Sequence, residues 1–215
     1  MSTKLPRTFY ARSTPLVARH LIGKVLVKSD SDGSASGRIV ETEAYSGADD
    51  PASHAFRGLT DRNRVMFGPA GHLYVYLSYG MHYCCNVVTE SELVAGAVLI
   101  RALEPLTGIE SMTARRGARA IRDLCNGPGK LCQALGIDLS DYGADLEAAT
   151  IWMEDDGFEV GELVAGGRVG ISAAADRPLR FFLPDSPFVS PGKPAAAPAR
   201  LRMAHGSPNR TDTAL

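Results

Sequence analysis

Long apolar runs are missing from this chain of 215 residues, and no stretch of about eighteen hydrophobic residues is there to cross a bilayer. The opening MSTKLPRTFY has no apolar segment of the kind that directs secretion, so a cytoplasmic protein is expected. Without such a signal, the sequon Asn209-Arg210-Thr211 carries no meaning. Cysteine is sparse: Cys84, Cys85, Cys125 and Cys132 make no CxxC unit, which argues for reduced thiols and against zinc. The glycine fingerprint of a dinucleotide site is absent. GPGKL at 127–131 has its lysine but no following Ser or Thr, so it is no P-loop. Internal repeats are absent too. What remains, 45% hydrophobic and 22% charged, is the composition of one ordinary globular domain.

Charge is balanced overall, at a net −1, but unevenly laid out. Residues 138 to 162 hold nine acids and no Lys or Arg, which leaves the rest of the chain at net +8. Such a split would allow one acidic surface and another that attracts phosphates, although charge runs are more often merely solvated.

Punctuation along the chain predicts a helix after Ser13-Thr14-Pro15 that stops at Gly23. KVLVKS and GRIVETEAY read as strands joined by the turn DSDGSASG, followed by a loop from 46 to 71. HLYVYLS is a strand with Leu73, Val75 and Leu77 on one face and Tyr74, Tyr76 and Ser78 on the other. GAVLIRAL is another strand. Thr107 and Glu110 have capping-box spacing, predicting a basic helix to about Cys125; Asn126, Pro128 and Gly136 frame a second. ATIWME, ELVAGGRVGIS and LRFFLP supply later strands. Strands and helices that do not alternate strictly predict an α+β fold: a single domain on a curved antiparallel sheet with flanking helices, covering 1–190. From 191 to 215, Pro and Ala dominate, and a mobile tail is expected.

Tyrosine is unevenly spread. Four of the seven (Tyr74, Tyr76, Tyr79 and Tyr83) fall within YVYLSYGMHY. A core could be built from leucine and valine; a phenol adds a flat π-face, which suits a flat ligand. In RIVETEAY, alternation puts Ile39, Glu41, Glu43 and Tyr45 on one face, with Val40, Thr42 and Ala44 toward the core. Glu41 reads as a solvated strand residue. Glu43, walled by Tyr45, has the setting of a general base. His54, alone in its loop, reads as a local hydrogen-bonding residue. Arg62 and Arg64 precede the tyrosine strand, as nucleic-acid contacts or as salt-bridge partners. NGPGK puts free N–H groups and Lys130 at a helix start, either an ordinary cap or a seat for phosphate.

Taken in order, GRIVETEAY, ASHAF, RNRVMFGPAGHLYVYLSYGMHYCCNVV, VLIRALEPL, NGPGKLCQAL and RVGI…RPLRFF resemble the alkyladenine (3-methyladenine) DNA glycosylase family, from about Leu21 to Ser190. The resemblance implies a fold without a helix-hairpin-helix motif and a monofunctional base-excision-repair enzyme of bacterial type. Its partner would be double-stranded DNA containing damaged purines, and it would act as a monomer with no metal or organic cofactor. It implies Glu43 as the base that activates water, with Arg101 and the Val169 carbonyl holding that water. Tyr45 and Tyr76 would sandwich the flipped base, with His54 on its edge and Asn86 on the pocket floor. Tyr79 would be the wedge in the vacated duplex, with Met81 beside it, and Lys130 a phosphate contact. His82 and Cys84-Cys85 depart slightly from the family pattern at the pocket rim. Two other classes compete with this reading: a catalytically silent nucleic-acid-binding module of the same fold, and a hydrolase of free nucleosides.

Overall fold

The structure, a computed structural model, describes residues 2–31, 33–117, 120–192 and 199–203. In chain order the elements are β1 (Thr3–Lys4), α1 (Arg7–Tyr10), α2 (Thr14–Leu21), β2 (Val25–Asp30), β3 (Gly33–Tyr45), β4 (Leu73–Ser78), β5 (His82–Val88) and β6 (Ala97–Thr107). They continue with α3 (Ile109–Arg116), α4 (Ile121–Leu124), α5 (Pro128–Leu135), β7 (Ile151–Asp155), β8 (Glu162–Gly166), β9 (Arg180–Phe182) and β10 (Ala199–Arg202). All strands join one antiparallel sheet, ordered β1-β7-β2-β3-β6-β5-β4, with β9, β8 and β10 attached to β3. The chain is a single mixed domain of α+β class. Among the described residues, no helix is long and apolar enough to cross a membrane.

The long strand β3 organises the sheet. Residues 33–38 pair with β2, and Glu41–Glu43 pair with β9, so one edge of β3 serves two partners in turn. Between them the register against β6 slips around Glu41, a bulge. The bulge corrects the simple alternation: Ile39 joins Ala44 in the main core, and Thr42 hydrogen-bonds the Ala18 carbonyl of α2, while Glu43 and Tyr45 turn to the opposite face.

Period-2 patterning then separates two layers. Leu73, Val75, Cys85, Val87, Val98 and Ile100 face α2 and α5, meeting Val17, Leu21, Leu131 and Leu135 in the main core. Tyr74, Val88 and Ala97 face the other way, into a smaller cluster with Met66. Leu77 is an exception to its expected core face. At 40% exposure it lies on the rim of the cleft described below.

Helix punctuation is only partly as expected. α2 starts after Ser13 with Pro15 in its first turn, but its cap comes from afar: Glu90 accepts from the Thr14 N–H at 2.6 Å. The Thr107–Glu110 capping box does not form. Gly108, in the left-handed region, stands at the helix start, and α3 ends at Gly117 instead of running to Cys125. The turn between β2 and β3 is tighter than expected, since pairing runs to Asp30 and Gly33. Within the expected tail, Ala199–Arg202 pairs with Glu162–Ala165 of β8; 193–198 and 204–215 lie outside the described residues.

Candidate active site

On the sheet face away from the helices lies a cleft of about 540 Å³, walled by β4, β5 and β6, the loop 46–71 and the segment after β8. Beside the packing of Ala55 and Met66, that loop is held by buried polar groups. Asp50 accepts from the Ser46 and Ala52 N–H groups, while the Asn63 side-chain amide donates to the His54 and Gly58 carbonyls. At its start, a Cβ on Gly47 would lie 2.1 Å from the Ala95 carbonyl oxygen, so only glycine permits this close approach.

Glu43 sits behind the cleft wall with no exposed surface. The Val169 N–H donates to its Oε1 at 2.7 Å; the Tyr45 hydroxyl and Arg101 Nη1 donate to its Oε2 at 2.8 and 3.3 Å. Burial raises the Glu43 pKa above the ordinary carboxylate range, and Arg101, the Val169 N–H and the Tyr45 hydroxyl only partly offset it. Burial and the neighbouring Glu43 both raise the Tyr45 pKa, so its hydroxyl stays a donor. For Arg101, burial works downward but the Glu43 and Glu41 carboxylates outweigh it, leaving the guanidinium firmly charged.

The aromatic walls are positioned by different forces. Behind the Tyr45 ring lies the Arg168 guanidinium, 4.6 Å from its centroid. Arg168 is fully buried, paired to Asp50 at 2.5 and 2.8 Å, and donates to the Ala44 carbonyl. Tyr76 packs edge-on against His54 at 4.6 Å between centroids. His54 Nδ1 lies 2.8 Å from the Tyr74 hydroxyl, a contact that fixes the imidazole plane. Burial, with a smaller push from Arg62, lowers the His54 pKa and keeps the ring neutral at pH 7. Asn86 is buried on the cleft floor and donates to the Tyr74 carbonyl.

At the open end, the β4–β5 hairpin closes over Tyr79, Gly80 and Met81. Tyr79 and Gly80 have φ of +50° and +68°, and the Met81 N–H returns to the Ser78 carbonyl. Positive φ at both central positions gives the primed turn that suits strand twist, but at the first it costs a tyrosine strain. The turn puts Tyr79 and Met81 into solvent, 86% and 73% exposed.

The sequence-predicted residues are therefore mostly brought together. Tyr45, His54, Arg62, Tyr76, Asn86 and Arg101 line the cleft, as do Val169 and Tyr79, and Glu43 is bonded to three of these. Arg62 lies over the Tyr76 ring at 5.3 Å. Arg64 and Lys130 are not among the lining residues; Lys130 donates to Asn126 Oδ1 at 2.7 Å. Glu41 overturns its expectation: far from being a solvated strand residue, it is fully buried and contacts Arg101, Arg180 and Ser190. The Asp50–Arg168 pair was not anticipated either, since 118 residues separate its members.

The sequence profile of the family described as methylpurine-DNA glycosylase (MPG) matches residues 8–187, most of the chain. The chain belongs to the methylpurine-DNA glycosylase family. A relative from Chlorobaculum tepidum is 47% identical over 201 residues, covering 93% of this chain and 96% of its own. One from Carboxydothermus hydrogenoformans is 50% identical over 188 residues, or 86% and 98% of the two chains. A third, from Rhodopseudomonas palustris, is 53% identical over 186 residues, or 86% and 87%. Each bears the name "Putative 3-methyladenine DNA glycosylase". Membership of the methylpurine-DNA glycosylase family makes the chain a DNA-repair enzyme, a hydrolase of N-glycosyl bonds.

Proposed function

We propose that this methylpurine-DNA glycosylase flips a damaged purine out of duplex DNA into the cleft and hydrolyses its N-glycosidic bond, leaving an abasic site. The observation that carries the reading is Glu43: a fully buried carboxylate of raised pKa, bonded to Tyr45, Arg101 and Val169 at the back of an aromatic cleft. A base inside the stack cannot reach such a group, and flipping costs a few kcal/mol. Stacking on Tyr45 and Tyr76 returns about 1–3 kcal/mol per base. His54 meets the edge of the base and Asn86 lies beneath it. Tyr79 fills the gap, with Met81 beside it, while Arg62, Arg64 and Lys130 contact phosphates.

Alkylation at N3 or N7 makes the purine cationic. A phenol face attracts that cation, and the base then departs neutral. A positioned water and a carboxylate are the remaining requirements. Glu43 takes the water's proton, with Arg101 and the Val169 carbonyl holding the oxygen, and the carboxylate steadies the oxocarbenium-like sugar. The substrates are 3-methyladenine and 7-methylguanine, with hypoxanthine and ethenoadenine as neutral alternatives. A bound base displaces Arg62 from the Tyr76 face; the exposed side chain is then free to turn toward the backbone.

The test is incubation with duplexes each carrying one of these lesions, followed by alkaline cleavage. Strand breaks at methylated purines, resistant to competition by free nucleosides, are expected. A silent binding module would yield none, and a nucleoside hydrolase would be outcompeted by the free substrate.

A further inference from the structure

We infer that Glu41 is a positioning residue for the reaction: its buried carboxylate shares the Arg101 guanidinium with Glu43, and so keeps Glu43 basic enough to take a proton. The inference rests on the reading of Glu43 as the base.

Each nitrogen of Arg101 has its own acceptor. Nε donates to Glu41 Oε1 at 3.0 Å, Nη1 to Glu43 Oε2 at 3.3 Å, and Nη2 to Ser190 Oγ at 3.3 Å. The contact to Glu41 is the shorter of the two ion-pair contacts. A fork facing Glu43 alone would form a two-pronged pair, and a carboxylate paired in that way is a weak base. Glu41 holds the fork off that geometry.

Glu41 is itself firmly held. Arg180 Nε donates to it at 2.6 Å, the Ser190 N–H at 2.7 Å and the Ser190 hydroxyl at 2.9 Å. Arg180 in turn lies 4.6 Å from the Phe182 ring centroid. Two residues apart on β3, the acids share one face of the strand, and both reach Arg101 from it. The groups acting on Glu43 are then Arg101 from β6, Tyr45 and Glu41 from its own strand, and the Val169 N–H from the segment after β8. Tyr76 of β4 is the next phenol, and Arg168 is separated from Glu43 by the Tyr45 ring it underlies. Of these neighbours, Glu41 raises the Glu43 pKa, whereas Arg101, Val169 and Tyr45 lower it.

A purely structural Glu41 would only tie the segment around Ser190 to the sheet. The two roles part on the pH profile. Single-turnover excision of 7-methylguanine, a cationic leaving group that needs no acid, reports the base alone on its acid limb. In Glu41→Gln that limb should move to lower pH by about one unit, because Arg101 now pairs with Glu43 only. The plateau should fall about tenfold. Ser190→Ala, which removes only the hydroxyl between Arg101 and Glu41, should move the limb the same way by a few tenths of a unit, roughly. It carries the test if Glu41→Gln fails to fold. An unmoved limb in the folded variants, with only a lower melting temperature, overturns the inference. A separate outcome, excision that survives Glu43→Gln, removes the reading of Glu43 itself.

Discussion

Single residues in this site are set by what surrounds them rather than by their type. The buried Glu43 has a raised pKa, so its ionised form, the base of the proposed reaction, gains population only as pH rises through that raised value. Excision of a cationic purine should therefore rise with pH, with its midpoint above the ordinary carboxylate range, and then stay flat. Hypoxanthine leaves better when protonated, so its rate should fall again at high pH. Superimposable profiles for the two lesions would contradict this account of leaving-group activation. The Arg168–Asp50 pair makes a different claim, about stability. Both side chains are fully buried, so Asp50→Ala would strand a guanidinium behind the Tyr45 ring. A loss of about 3–5 kcal/mol in urea unfolding is expected; a loss below about 1 kcal/mol would mean that Arg168 finds solvent or another partner.

Elements show how far local pattern reaches. Alternation in HLYVYLS separates Leu73 and Val75, toward the helices, from Tyr74 and Tyr76, toward the cleft. Pro and Gly signals locate α2 and α5. Where long-range contact decides, pattern fails. The β3 bulge depends on β6 and β9 pairing, so Ile39 joins the core against strict alternation. The burial of Glu41 depends on Arg180 and Ser190, far along the chain. Gly108 starts α3 where the capping-box spacing pointed to Thr107. Family resemblance located the cleft residues in advance, while the pairs behind them, Arg168–Asp50 and Arg180–Glu41, left no local signal.

The β4–β5 hairpin yields its own prediction. Tyr79 is strained and exposed, a cost that stability alone does not explain. Asn tolerates positive φ, so Tyr79→Asn should melt no lower than the parent and still excise a lesion in a stable pair more slowly. The defect should shrink when the same lesion is mispaired, because less flipping cost remains. Tyr76→Ser removes a wall and should be equally impaired in both duplexes. Excision at saturating enzyme on both duplexes checks this, and a context-independent defect in Tyr79→Asn would remove the wedge assignment.

Across the whole molecule, charge is organised by pairing. The acidic run from 138 to 162 is a seam rather than a free acidic surface: Arg7 meets Asp145 and Glu147, Lys24 meets Asp155, Lys28 meets Asp141, Arg38 meets Asp156, and Arg200 meets Glu162. Several of the bases that made the rest of the chain net positive are thus engaged by the seam. The sheet then serves as a divider, with the main core and helices on one face and the cleft on the other, and Glu43 held between Arg101 of β6 and the Val169 backbone. The claim that this buried carboxylate activates the water is tested most directly by Glu43→Gln, which keeps the shape but cannot take a proton. Single-turnover excision of 7-methylguanine should fall by at least about a hundredfold, while affinity for the damaged duplex stays within roughly threefold of the parent. Excision reduced by less than about tenfold would show that another group is the base.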